Sequence, residues 1–162
     1  MLRRRMQALV LLIISAHPAL AQKPPTSSSG SSHDKPEAKI EHVSFPTGDS
    51  GLIYADLYGK GDRGVVLAHG GRFTKESWRP QAQQLASAGF HVLAFDFRGF
   101  GQSHGPGDSD MFTAPMHLDV LAAVRYLRKN GAKTVALIGS SFGGAAAADA
   151  SIASQPTVKS TG

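Results

Sequence analysis

The chain has 162 residues, 41% apolar and 18% charged, and no cysteine. That length supports one globular core, and the missing thiol excludes a disulfide framework, a cysteine-based zinc cluster and a thiol nucleophile. The formal charge of +5 does not read as a nucleic-acid surface: Arg3, Arg4 and Arg5 fall in a targeting segment, and their removal leaves about +2 by the same count.

Residues 1–21 carry the three parts of a signal peptide: the arginine run, the apolar stretch from Ala8 to Ile14, and Ala19-Leu20-Ala21 as a small-x-small cleavage site. The apolar stretch is far short of the ~20 residues that span a bilayer, and His17-Pro18 interrupts it. The expectation is export to the periplasm or beyond, with cleavage after Ala21. Residues 22–39 hold Lys-Pro-Pro-Thr, a Ser/Gly run and no leucine, isoleucine, valine or aromatic residue. Such a segment cannot bury enough surface to offset chain entropy and reads as a disordered linker.

Periodic sequence begins at Ile40, and a domain over residues 40–155 is predicted, followed by a tail over 156–162. Ile40–Phe45 and Leu52–Tyr58 read as half-buried strands joined by the turn Pro46-Thr47-Gly48-Asp49. Gly64–Ala68, Phe90–Phe95 and Thr134–Ile138 are continuous apolar runs, the pattern of strands covered on both faces. Between them lie helical spacings. Trp78, Ala82, Leu85 and Ala86 mark one, ending near Gly89; Leu118, Leu121, Val124 and Leu127 mark a second, closed by Gly131. A third starts at Phe142 and runs through Ala145–Ala148. This alternation predicts an α/β fold, a mostly parallel sheet with helices on both faces.

In such sheets function gathers at the carboxyl ends of the strands. Gly139-Ser140-Ser141-Phe142-Gly143-Gly144 lies between the last strand and the last helix. This G-x-S-x-G pattern puts Ser141 on a sharp strand-to-helix turn, with Gly139 and Gly143 leaving room for close chain approach. Ser141 is the candidate nucleophile. His69-Gly70-Gly71 follows the third strand; Gly71, or failing that Arg72, offers one amide to an oxyanion, and Phe142 the other. His69 reads as a residue that holds this loop rather than as a base. Asp96-Phe97-Arg98-Gly99-Phe100-Gly101-Gln102-Ser103 lacks the third glycine of a dinucleotide-binding loop, where His104 stands instead. Asp96 and Arg98 are expected to pair and pin a turn there, with Ser103 as a cap or loop donor. Phe97, Phe100, Phe112 and Trp78 are candidates to line an apolar pocket, with core the commoner role for aromatics in such numbers, and residues 106–115 read as a rim loop.

In this order and spacing the three motifs resemble the α/β-hydrolase family, over about Ile40 to Ala153, and most closely its esterase, dienelactone-hydrolase-like and serine-aminopeptidase-like members. The resemblance implies acyl transfer through a serine acyl-enzyme, on a small ester, lactone or amide, with no cofactor and no metal. The family's triad runs serine, acid, histidine. After Ser141 this sequence has one acid, Asp149, and no histidine. The C-terminal strands, acid and base of the family thus have no counterpart. The sequence reads as the N-terminal part of a hydrolase, weak or inactive in this form. Among upstream histidines, His104 is the best substitute base, His91 a wall residue, and His117 a helix-start residue facing water. The competing reading is a non-catalytic exported binding module that keeps a hydrolase-like half-fold. In either case the last strand is expected at an exposed sheet edge open to self-association.

Overall fold

The computed structural model describes residues 38–154; the signal, most of the linker and the tail lie outside them. Five strands, three α-helices and a 3-10 turn alternate: β1 (Ile40–Pro46), β2 (Leu52–Tyr58), β3 (Arg63–Ala68), the turn Lys75–Trp78, α1 (Arg79–Ser87), β4 (His91–Phe95), α2 (Met116–Lys129), β5 (Thr134–Gly139) and α3 (Phe142–Ala153). They form one sheet in the order β1-β2-β4-β3-β5. β3 pairs in parallel with both β4 and β5, whereas β2 pairs antiparallel with β1 and with β4. The α/β class and its parallel centre are as the sequence predicts, and the first two strands add an antiparallel margin. They are joined by a tight turn, which can only reverse the chain.

Side-chain alternation divides the core between two faces. Val65, Leu67, Val92 and Ala94 point to the side covered by α1, with Tyr58, Ala82 and Leu85. Val66, Ala68, Leu93 and Phe95 point to the other side, where Val120, Ala123 and Leu127 of α2 and Ala146 and Ala150 of α3 meet them. Helices therefore cover both faces. α2 buries one stripe at helical spacing and stops at Gly131, whose φ of 103° suits a residue without Cβ.

Two sequence expectations are corrected here. β5 is not covered on both faces. It is the edge of the sheet among the described residues, and its exposure alternates, with Ile138 at 40%. The edge position is as expected; what the apolar run does not show is that one face of the strand stays uncovered, because covering depends on which segments pack against it. Phe112 is not core: it is 86% exposed, at the tip of a loop held by Asp110, which accepts from the Phe112 amide at 2.9 Å and from Thr113 Oγ1 at 3.0 Å.

Candidate active site

The carboxyl ends of β3, β4 and β5 converge on one rim of the sheet, since all three run the same way. At the end of β5 the chain turns through Ser140 and Ser141 into α3. Ser141 has φ 50° and ψ −118°, and Ser50 is the other non-glycine with positive φ among the described residues. Such a conformation is strained for a residue with a Cβ and persists only where the surroundings impose it. Here they do. A Cβ at Gly143 would lie 2.5 Å from the carbonyl oxygens of Ala68 and His69, and one at Gly139 would run into the Gly143 backbone. The first turn of α3 thus rests directly on the ends of β3 and β5, leaving a turn too tight for ordinary φ.

Ser141 is exposed, and its hydroxyl makes no hydrogen bond to any described residue. Gly143, Gly144 and Ala145 donate their amides back into the turn, to Ser140 O, Ser141 O and Ser141 O. The Phe142 amide opens the helix and finds no protein acceptor among the described residues, and the same holds for the amides of Gly71 and Arg72. The Phe142 side chain packs edge-on against Phe97 at 5.3 Å, which fixes the backbone that carries its amide. A Cβ at Gly71 would strike the Met111 methyl group and lie 3.8 Å from Phe142 Cβ. Gly71 and Phe142 are thus neighbours, with Met111 of the rim loop against them.

His69 is fully buried. Its Nδ1–H donates to Gly70 O at 2.8 Å and its Nε2 accepts from the Phe97 amide at 3.2 Å. Both ring nitrogens are engaged by backbone, which fixes the neutral tautomer, and burial lowers its pKa. Phe97 and Phe100 pack edge-on against the ring at 5.2 and 4.9 Å. The histidine ties the end of β3 to the end of β4 and leaves the Gly70-Gly71 backbone facing the rim.

Asp96 and Arg98 do not pair, contrary to the sequence expectation. Asp96 turns to the α1 side, accepting from the Lys75 amide at 2.7 Å and from Lys75 Nζ at 3.2 Å. Arg98 turns the opposite way and is fully buried. It donates to Asp119 Oδ1 at 2.7 Å through Nη2, to Asp49 Oδ2 at 2.6 Å through Nη1, and to Pro106 O at 2.9 Å. Both lie past Phe95, the last residue of β4, where strand alternation no longer sets side-chain direction, and each takes a partner from a different layer. Asp49 and Asp119 were missed in the sequence: Asp49 reads there only as a turn residue, and Asp119, in the first turn of α2, is not singled out at all. Ser103 is an acceptor here rather than a donor, its Oγ receiving the Tyr54 amide at 2.9 Å.

The other histidines stay apart from Ser141. His104 bonds Gln102 O at 3.0 Å and bridges to Leu52 at the start of β2, on the far side of β4 and β3 from the elbow. His91 starts β4, at the opposite end of the sheet. His117 lies in the first turn of α2, half-buried rather than facing water. No imidazole among the described residues is hydrogen-bonded to the serine. No group of three or more potential metal ligands occurs among them either.

Two hollows open on this rim. A groove of about 230 Å³ adjoins the elbow, lined by Gly70, Phe73, Ser77, Trp78, Gln81 and Ser140. A larger cleft of about 610 Å³ lies over β1 and β2, but Ser141 and the Gly70-Gly71 loop do not line it. Its charges are already paired, Lys75 with Asp96 and Glu76, and His42 with Asp56 at 2.7 Å. The smaller groove is the one beside the chemistry.

A parallel-centred sheet with a positive-φ serine at a tight turn between strand and helix is the backbone pattern of the alpha/beta-hydrolase fold. Residues 64–160 match the family described as alpha/beta hydrolase fold, and the chain belongs to that family. An epoxide hydrolase of Caballeronia sordidicola is 42% identical over 53 residues, which is 33% of this chain and 16% of that one. Bifunctional epoxide hydrolase 2 of Sus scrofa is 39% identical over 82 residues, 49% of this chain and 14% of its own. Among solved structures, the Pyrococcus furiosus esterase Pf2001 superposes with a TM-score of 0.61 at 28% identity, covering 68% of this chain and 46% of the esterase. Epoxide hydrolase A of Mycobacterium thermoresistibile gives a TM-score of 0.58 at 31% identity, covering 69% and 34%. The chain spans well under two thirds of the length of each of these relatives.

Proposed function

We infer that this chain carries the nucleophile half of a serine hydrolase acting on carboxylic esters, lactones or amides. The observation that carries the reading is Ser141, held at positive φ beside the unpaired amides of Gly71 and Phe142. Attack of Ser141 Oγ on a substrate carbonyl would create a tetrahedral oxyanion, for which those two amides are the proposed donors. Collapse expels the alcohol or amine and leaves an acyl-serine ester for water to cleave.

The relatives named as epoxide hydrolases raise a second substrate class, and elementary chemistry argues against it. Opening an epoxide with a serine hydroxyl forms an alkyl ether, which water does not cleave. A carboxylate nucleophile would form a cleavable ester, but the elbow here presents a hydroxyl. Carbonyl substrates are the class that a serine can release.

Turnover needs a base within ~3 Å of the hydroxyl or one water away, and none of the described histidines is hydrogen-bonded there. The amides alone support residual catalysis on the order of 10³–10⁴ over water. The expected behaviour of the isolated chain is therefore slow, stoichiometric labelling by a fluorophosphonate probe, lost in Ser141→Ala. A folded chain that stays unlabelled at high probe concentration would remove the nucleophile and leave the binding-module reading. The N-terminal segment supports export as a companion proposal: N-terminal sequencing of the protein from a secreting host should begin at Gln22, and an intact Met1 in the exported fraction would refute it.

A further inference from the structure

We propose that the groove beside the elbow is a pocket for a single aromatic ring, so that the substrates of this site are aryl or aralkyl esters. The proposal rests on the serine-hydrolase reading for the word substrate, but not for the binding itself. Two observations carry it. Gly70 and Ser140 line the groove, so a group seated in it lies next to the residue preceding Ser141 and the residue preceding Gly71. Its apolar lining is aromatic, from Phe73 and Trp78, and Phe73 is 58% exposed although it sits at the centre of the rim.

Volume sets the size of the occupant. A cavity of roughly 150 Å³ holds a benzene ring, so the 230 Å³ here takes one ring and its ester linkage. An extended chain of eight or more carbons would protrude. Ser77 and Gln81 at the edge favour a ligand whose far end is polar or ends there. Trp78 reads as core in the sequence because its spacing matches the buried face of α1. It does pack against that cluster, and its indole lines the groove as well.

The test uses the fact that Trp78 is the chain's one tryptophan, so its emission reports on this groove alone. Ser141→Ala, which removes the nucleophile but not the groove, is titrated with benzyl acetate and with methyl octanoate. The expected result is a saturable change in Trp78 emission with benzyl acetate, and an affinity for methyl octanoate lower by about 2- to 10-fold, the range a ring-stacking contact supplies. Phe73→Ala, at an exposed position that folding tolerates, is expected to erase that preference. No saturable change, equal affinity for both esters, or an unaltered preference in Phe73→Ala would each overturn the proposal. The two readings fail separately. Phosphonate labelling of Ser141 without an emission response sinks the aromatic pocket alone, whereas an emission response without labelling sinks the nucleophile and leaves an aryl-binding groove.

Discussion

Ser141 shows how a single residue stores strain for a purpose. Its positive φ follows from two glycines that let α3 sit on the ends of β3 and β5, and a side chain held there costs of the order of 1–3 kcal/mol. Ser141→Gly should therefore raise stability by about 1 kcal/mol in urea denaturation while abolishing phosphonate labelling. A variant no more stable than the parent would mean that the turn is unstrained. Gly143→Ala acts oppositely. Its methyl would meet the Ala68 and His69 carbonyl oxygens at 2.5 Å, and a loss of about 1–3 kcal/mol is expected. His69, by contrast, is used for its two ring nitrogens as a fixed neutral strut, and both are engaged by backbone.

Between elements, the strongest fastening is polar. Arg98 gathers Asp49 from the β1–β2 turn, Asp119 from α2 and Pro106 O from the rim loop. Removing one partner of a buried ion cluster leaves charge uncompensated, so Asp119→Ala should destabilise by about 3–5 kcal/mol, read from the shift in urea midpoint. The same cluster shapes the acid limb of stability. The hydrogen bond from Arg98 is the largest influence on Asp49 and brings its pKa down from 3.8 to about 2. Its contribution is complete above the unfolded value and disappears as pH falls through the folded one, the window from about 4 to about 2. A shallower loss begins earlier. Burial lowers the pKa of His69 and His91 below 6.5, so the unfolded chain takes up those protons first and stability declines as pH drops below that point. Urea midpoints measured across this range should fall in two stages, and Asp49→Asn should flatten the lower one. A single stage in the parent chain would refute this account.

For the molecule as a whole, the sheet is unevenly finished. Among the described residues, β1 ends one side as part of an antiparallel hairpin, while β5 has an outer edge with no strand on it and a 40% exposed Ile138. An unpaired, flat, apolar edge is a template for another strand. Sedimentation of the chain should show concentration-dependent association, and Ile138→Lys should shift it towards monomer. A monomer at all concentrations would show that the edge is not used.

The strand–helix order, the glycine loop and the serine elbow were legible in the sequence, because each depends on local chemistry. Apolar runs mark strands, 3.6-residue spacing marks helices, and glycines bracket a serine where backbone must approach backbone. Partners were not legible. Asp96 and Arg98 are two residues apart and were read as a pair, yet in the loop after β4 each bonds a partner from a different layer, Asp96 with Lys75 and Arg98 with Asp119. The apolar run of β5 read as covered on both faces and is exposed on one, and Trp78, read as core or pocket lining, packs against the α1 cluster and lines the groove. Local sequence determines which conformation a segment takes. Which charge meets which, how far each face of a strand is covered, and which aromatic faces a hollow are set by segments far apart in the chain, and only the tertiary structure decided them.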